Sequence, residues 1–267
     1  MKQGKRDDGF RMSDVLWQQI EPLLPAPKPH PLGCHRPRVP NRAAMDAILL
    51  VLRTGMQWNA LDDTGVCTCS SAYRRFREWV DAGVFATFWR LGLLEYDELK
   101  GIDWSWLALD GTMTKAPLGG KKTGPNPCDR GKGGVKRSLL TEAHGVPLAL
   151  EVAAANRHDM KLVSATLAHM MCAQPDGRRR SNLCLDMGYD YEEVRQIVDI
   201  AGFEPVILGR REEQENKKQH GARARRWVVE RTHSWLNRFR RLLVRWEKRE
   251  DTYLAMLQLA CGIIAWR

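Results

Sequence analysis

The sequence predicts an α/β fold: a mixed sheet with flanking helices, preceded by a helical N-terminal domain that contains a helix-turn-helix-like segment. Up to about residue 100, apolar residues recur at helical spacing. From Trp104 onward, short apolar runs at strand spacing alternate with helical ones. The order there is strand, hairpin, helix, strand, helix, strand, helix, which describes a mixed sheet with helices packed on it. Gly101 marks the expected boundary between domains 1–100 and 101–267, and 267 residues suffice for one large or two modest cores.

Ser13 is positioned to cap a first helix that carries Leu16, Trp17 and Ile20 on one face and ends at Pro22 and Pro25. Residues 25 to 40 hold six of the 13 prolines and read as an extended loop. Asn41 as N-cap and Gly55 as stop bound a helix that turns Met45, Ile48, Leu49 and Leu52 inward. Another helix starts at Ser70 or Ser71, burying Ala72, Phe76 and Trp79, while Arg74, Arg75 and Arg77 point elsewhere. This pair resembles a helix-turn-helix and would bring those arginines to DNA. A helical bundle with a solvated basic face fits equally well. Residues 84 to 97 continue as helix.

The run from Trp104 to Thr112 reads as a buried strand that delivers Asp110 to a sheet end, and Asn182 to Gly188 repeats the arrangement with Asp186. Between them, Pro117 to Arg137 is rich in Gly, Pro and Lys. A P-loop reading fails there, because Gly133 stands where Ser or Thr should bind magnesium. A loop presenting Lys121, Lys122, Arg130, Lys132, Lys136 and Arg137 to phosphate fits better. Ala143-His144-Gly145 turns a hairpin. Asp159 is expected to cap one helix, and Asp190 with Glu193 to form a capping box for another. A long basic helix, Ala222 to Arg249, packs Val228, Trp235, Phe239, Leu242 and Trp246 on the sheet and carries Glu230.

The net charge is +10, and the 12 Lys and Arg between Lys217 and Arg249, against Glu230 and Glu247, account for all of it. A polyanionic partner follows. Seven cysteines without a regular frame read as reduced thiols of a cytosolic protein, and Cys34-His35 with Cys67 and Cys69 lacks the usual zinc spacing. Residues 1–8 lack the apolar core of a signal peptide, and Leu254 to Trp266 is too short to span a bilayer. Neither a membrane nor an export signal is expected.

Taken singly, Asp110 and Asp186 are ordinary turn or cap residues, and Glu230 is an ion-pair partner for Arg226 one helical turn away. Taken together they are a carboxylate cluster, which needs a cation or a shared proton to hold it. Paired magnesium or manganese ions on such groups clamp the attacking and leaving oxygens of a phosphodiester. His158 and His233 are candidates for a general base, but metal-bound water needs none, and each reads first as a hydrogen-bonding helix-end or surface histidine.

Leu107 to Pro117, Gly124-Pro125-Asn126-Pro127, Asn156-Arg157-His158-Asp159 and Val229-Glu230-Arg231-Thr232 resemble bacterial DDE transposases of the insertion sequence 5 family. Ser13 to Arg90, with Val51 to Gly55 and Tyr73 to Phe76, is similar to their helical, DNA-binding N-terminal domain. The resemblance implies a ribonuclease-H-like catalytic domain whose triad is Asp110, Asp186 and Glu230, binding two Mg2+ ions, with Mn2+ as the alternative. It also implies cleavage at element ends, strand transfer by the freed 3′-hydroxyl, and a homodimer or higher multimer acting in the cytoplasm on terminal inverted repeats and target DNA. Arg226 matches the family's arginine four residues before the glutamate. The tyrosine seven before and the lysine seven after are here Arg223 and Asn237, so Arg238, Arg240 and Arg241 are expected to supply phosphate contacts. A DNA-binding regulator without turnover and a general nuclease are the competing readings.

Overall fold

A computed structural model describes residues 9–27, 38–174, 180–209 and 225–266. Four helices come first: α1 (Asp14–Ile20), α2 (Asn41–Thr54), α3 (Cys69–Asp81) and α4 (Val84–Leu99). The strands are β1 (Trp106–Lys115), β2 (Gly124–Pro125), β3 (Gly133–Thr141), β4 (Pro147–Ala154), β5 (Ser181–Leu185) and β6 (Phe203–Ile207). Helices α5 (Val163–Ala168), α6 (Glu192–Ile200), α7 (Trp227–Asn237) and α8 (Glu250–Ala265) complete the chain.

The sheet runs β4-β3-β1-β5-β6, with β2 joining the start of β3. The β1, β2, β3 and β4 pairings are antiparallel, whereas β5 pairs parallel with both β1 and β6. This is the mixed sheet with flanking helices that the sequence predicted. The start of β1 and the end of β3 are buried on both faces, which is why Leu107 to Leu109 and Leu139-Leu140 read as apolar runs. Adjacent residues of β3 identify the two faces. Ser138 accepts a hydrogen bond from Thr166 of α5 at 2.7 Å, while Arg137 donates to Asn237 of α7 at 3.0 Å. The hairpin between β3 and β4 is fixed by Glu142, whose Oε1 accepts from the N–H groups of His144 and Val146, each at 2.8 Å.

One apolar core continues from Met12 to Ala265 across residue 100. Helix α8, the apolar C-terminal stretch, lies against α4, and Gly92 and Gly262 allow the close approach. A Cβ on Gly262 would stand 2.6 Å from the Phe88 ring, and one on Gly92 2.7 Å from that of Trp266.

Ser13 caps α1 as expected, accepting from Leu16 N at 3.4 Å, and Gly55 ends α2 at φ 75°. Several boundaries differ. Pro40 and Thr68 are the N-caps of α2 and α3, Tyr191 that of α6, and Asp190 pairs instead with Arg195 at 2.6 Å. The proline-rich loop lies outside the described residues from 28 to 37, as do Cys34 and His35.

The largest correction concerns the long basic helix. Within the described residues it ends at Asn237, and a 3-10 turn follows at Arg240–Leu242. Val244 then bridges Lys115 beside β1, with Arg245 N donating to Lys115 O at 2.8 Å. Side-chain requirements outweigh helical periodicity here. Buried Arg241 reaches Glu247 at 2.7 Å and Met56 O at 3.1 Å, and buried Arg245 reaches Lys121 O and Glu247 O, each at 2.8 Å. Unmet donors at those depths would cost more than the lost helical bonds return.

Gly262→Ala should lower stability by about 1–3 kcal/mol, as overpacking of a filled interface does. Thermal denaturation checks this, and an unchanged midpoint would contradict the close α4–α8 contact.

Candidate active site

Asp110 lies in the middle of β1 rather than at its end. The parallel partner stops early: Trp106, Leu107 and Ala108 pair with Asn182, Leu183 and Cys184, and β5 ends at Leu185. Continuing that register by two residues sets Asp110 level with Asp186, at the point where β1 runs past its neighbour. Asp186 caps the turn Met187–Tyr189, its Oδ1 accepting from Gly188 N at 2.8 Å. Its Oδ2 is 3.2 Å from Arg226, and the same guanidinium stands 3.7 Å from Glu230 on α7. Glu230 therefore makes the ion pair expected of a helical glutamate, through the same arginine that holds Asp186.

The Asp110 carboxyl is pushed up to about 6. Burial is the main cause, partly offset by the Gly111 N–H, and the charges of Asp186, Asp159 and Glu230 push it further. Its backbone carbonyl accepts from His233 Nε2 at 3.3 Å. Burial and then Arg137 drive the His233 ring down to about 3, so it remains neutral at ordinary pH. His233 is thus a support for β1 rather than a surface histidine, and it is no base. His158 packs edge-on against Tyr191.

A fourth acid stands behind the cluster. Asp159 does not cap a helix. It accepts from Lys136 at 2.7 Å, and its Oδ1 is buried without a hydrogen-bond partner. A Cβ on Gly111 would come within 2.2 Å of that oxygen, so the residue after Asp110 has no room for a side chain. The buried Tyr189 hydroxyl, also without a partner, faces the same place, its pKa raised first by burial and then by Asp159, Asp110 and Asp186. Nothing in the sequence separated Asp159 from a capping residue. The Asp110-Gly111 pair was the available signal, because a glycine inside a strand marks a close approach.

Hard carboxylate oxygens and mutual repulsion are the donor set that magnesium or manganese takes. Burial first, and the neighbouring negative charges after it, lift Asp110, and both favour a nearby cation; in this conformation Arg226 stands between Asp186 and Glu230. As the side chains lie, no three His, Cys, Asp or Glu groups among the described residues are gathered tightly enough to hold a metal ion.

The expected DNA-contacting cations divide into two sets. Arg74, Lys132, Arg238 and Arg240 are exposed, and Arg77 and Arg226 are half-buried beside Asp81 and Asp186. Arg75, Lys136, Arg137 and Arg241 are buried, at 7%, 5%, 1% and 6% exposure, and are corrected to internal roles. Arg75 pairs with Glu78 at 3.1 Å, Lys136 with Asp159, Arg137 with Asn237 and Arg241 with Glu247. Lys136 and Arg137 belong to β3, which begins earlier than its apolar run suggested. Lys121 and Lys122 pair with Glu250 at 3.3 and 2.9 Å.

Residues 12–89 match the family model "Putative transposase of IS4/5 family", and residues 105–264 match "Transposase DDE domain". The chain is 41% identical over 156 residues to a Burkholderia cepacia protein described as "Putative transposase for insertion sequence element IS402", covering 55% of this chain and 70% of that protein. It is 39% identical over 118 residues to an uncharacterized 16.2 kDa protein of insertion element IS402 from the same organism, covering 43% and 80%. Among solved structures, the Mos1 transposase paired-end complex with left transposon end aligns over 91% of this chain and 82% of that one, at 12% identity and a TM-score of 0.31. That score is too low to carry any property across.

A carboxyl raised in the fold opposes folding once it ionises. The penalty is absent below about pH 4 and complete above about pH 6, where a shift of this size is worth roughly 3 kcal/mol. Asp110→Asn should therefore raise thermal stability at pH 8 without divalent ions and change it little at pH 4. Equal gains at both values would remove the charge argument. Gly111→Ala should cost about 1–3 kcal/mol through its collision with Asp159, which a melting curve reads directly.

Proposed function

Because the chain belongs to the transposase DDE-domain family, we propose that it cleaves phosphodiesters at the ends of a DNA element and joins the freed 3′-hydroxyl to target DNA. One observation carries the reading. Asp110, Asp186 and Glu230, far apart in the chain, act on one another electrostatically, and Arg226 pairs with two of them. A structural ion pair needs one carboxylate, whereas phosphoryl transfer needs several acids around one reacting phosphate.

In this reading Asp110, Asp186 and Glu230 would hold two magnesium or manganese ions, which when bound polarise the scissile phosphate and favour deprotonation of the attacking hydroxyl. The chain's own contributions are positional. The β1–β5 register fixes the two aspartates level with each other, and α7 brings Glu230 to them from the helical layer. Neutral His233 bonds the Asp110 carbonyl, so the strand that carries the acid is held from the α7 side. Arg226 keeps Asp186 and Glu230 facing each other until substrate phosphate or a divalent cation competes for them. Exposed Arg238, Arg240, Lys132 and Arg74 are the candidates for backbone phosphates, which set affinity rather than sequence preference. We place the division between a DNA-binding helical region and the catalytic region near residue 100. The proposed setting is a multimer acting on inverted repeats in the bacterial cytoplasm.

Purified protein incubated with Mg2+ or Mn2+ and duplex carrying candidate element ends should release 3′-hydroxyl ends at one position, read by sequencing. Asp110→Asn should slow this by orders of magnitude, since a lost carboxylate removes several kcal/mol of transition-state stabilisation. Wild-type cleavage by that variant would reject the assignment, and cleavage indifferent to end sequence would make the protein a general nuclease. Neutralising Arg238 and Arg240 together should flatten the slope of log affinity against log salt by about 2. An unchanged slope would assign both to a solvated face.

A further inference from the structure

Two polar groups inside the fold point at one spot, and neither is hydrogen-bonded. Asp159 Oδ1 and the Tyr189 hydroxyl are both buried without a partner. A Cβ on Gly111 would collide with the first and stand 3.5 Å from the second, so an acceptor and a donor converge where the glycine leaves room. The Gly111 N–H is close enough to act on the hydroxyl but makes no hydrogen bond to it. Buried donors and acceptors are satisfied almost without exception, so a matched pair left open beside the strand that carries Asp110 calls for a second arrangement in which it closes.

Each half of the pair is tied to the framework of the acids. Lys136, 5% exposed, donates to Asp159 Oδ2 at 2.7 Å and to Arg157 O at 2.8 Å, which fixes one carboxylate oxygen and leaves the other turned to β1. Tyr189, 2% exposed, closes the turn Met187–Tyr189 that Asp186 caps, and its N–H donates to Asp186 O at 2.9 Å. A shift of that turn toward β1 therefore carries Asp186 and Tyr189 together. Repulsion resists the shift, since Asp186 is foremost among the charges acting on Asp110, and Asp159 comes next. A cation between the carboxylates removes that resistance.

We propose that Tyr189 and Asp159 are positioning residues: when the carboxylate cluster takes up a divalent cation, the Tyr189 hydroxyl donates to Asp159 Oδ1, and this bond ties the Asp186 turn to β1 and, through Lys136, to β3. Neither residue touches the cation. The bond raises the cation's affinity because it is made only in the loaded arrangement. Gly111 is required for it, since a side chain there would occupy the place where the bond forms. The inference rests on the reading of Asp110 and Asp186 as cation-binding acids and adds to it what aligns them.

The test is Mn2+ binding by the full-length protein without DNA, followed by electron paramagnetic resonance. Tyr189→Phe and Asp159→Asn should each weaken binding about tenfold, the low end of what the loss of an outer hydrogen-bond partner costs a metal site. In the Asn variant Lys136 claims the single amide oxygen, and an NH2 group then meets the hydroxyl. The double variant should bind no more weakly than the weaker single one, because one bond can be lost only once. Without metal, Tyr189→Phe should melt at the wild-type temperature, as its hydroxyl has no partner to lose. A residue that only supported the fold would lower that midpoint and leave Mn2+ affinity alone. Wild-type affinity in Tyr189→Phe, losses that add in the double variant, a lowered metal-free midpoint in Tyr189→Phe, or no Mn2+ binding by the wild type would each overturn the inference. Tyr189→Phe keeps the ring and decides the matter by itself where Asp159→Asn does not fold. The transposase reading is judged separately, by metal-dependent cleavage of duplex ends by the wild type.

Discussion

Repulsion between carboxylates that the fold forces together is the constraint around which this protein is built. Asp110 is half-enclosed beside Asp186, Glu230 and Asp159, and its pKa near 6 measures first the cost of burying it and then that of those neighbouring charges. No folded chain gains stability from such an arrangement, so the rest of the structure has to hold it. Parallel pairing of β1 and β5 fixes the aspartates, Arg226 ties Asp186 to Glu230, and Lys136 neutralises Asp159 from within the sheet. Removing one of these cations would leave an uncompensated charge, the condition under which buried ion pairs matter most.

The helices supply the rigidity that this requires. Helix α7 is bound to the β3–β4 hairpin, with Arg231 donating to His144 O at 2.5 Å and Thr232 to Gly145 O at 2.7 Å. Beyond Asn237 the chain abandons helix to run beside β1, which anchors the far end of the strand that carries Asp110. Helix α8 then packs against α4, so the N-terminal helices and the sheet share one core. Many of the arginines and lysines that make the sequence so basic are therefore internal fasteners. Among the described residues, Arg74, Lys132, Arg238 and Arg240 are cations left facing solvent.

Much of this was legible in the sequence because it rests on periodicity and on a few chemically unambiguous residues. The strands around Asp110 and Asp186, the hairpin at Ala143 to Gly145, the glycine stop at Gly55 and the apolar terminal helix all follow from local patterns. What stayed hidden was set by tertiary partners. Lys136 and Arg137 look like loop cations until β3 extends backward through them, and Arg241 and Arg245 look helical until their buried acceptors are known. Asp159 reads as a cap because what it meets, Lys136 of β3 and the bare backbone of Gly111 on β1, is distant in sequence.

The convergence of the three acids on Asp110 can be measured directly by following the Asp110 carboxyl carbon through a pH titration by NMR, without divalent ions. The account predicts a midpoint near 6 that falls in both Asp186→Asn and Glu230→Gln. A midpoint near the ordinary value of about 4, indifferent to both substitutions, would contradict it.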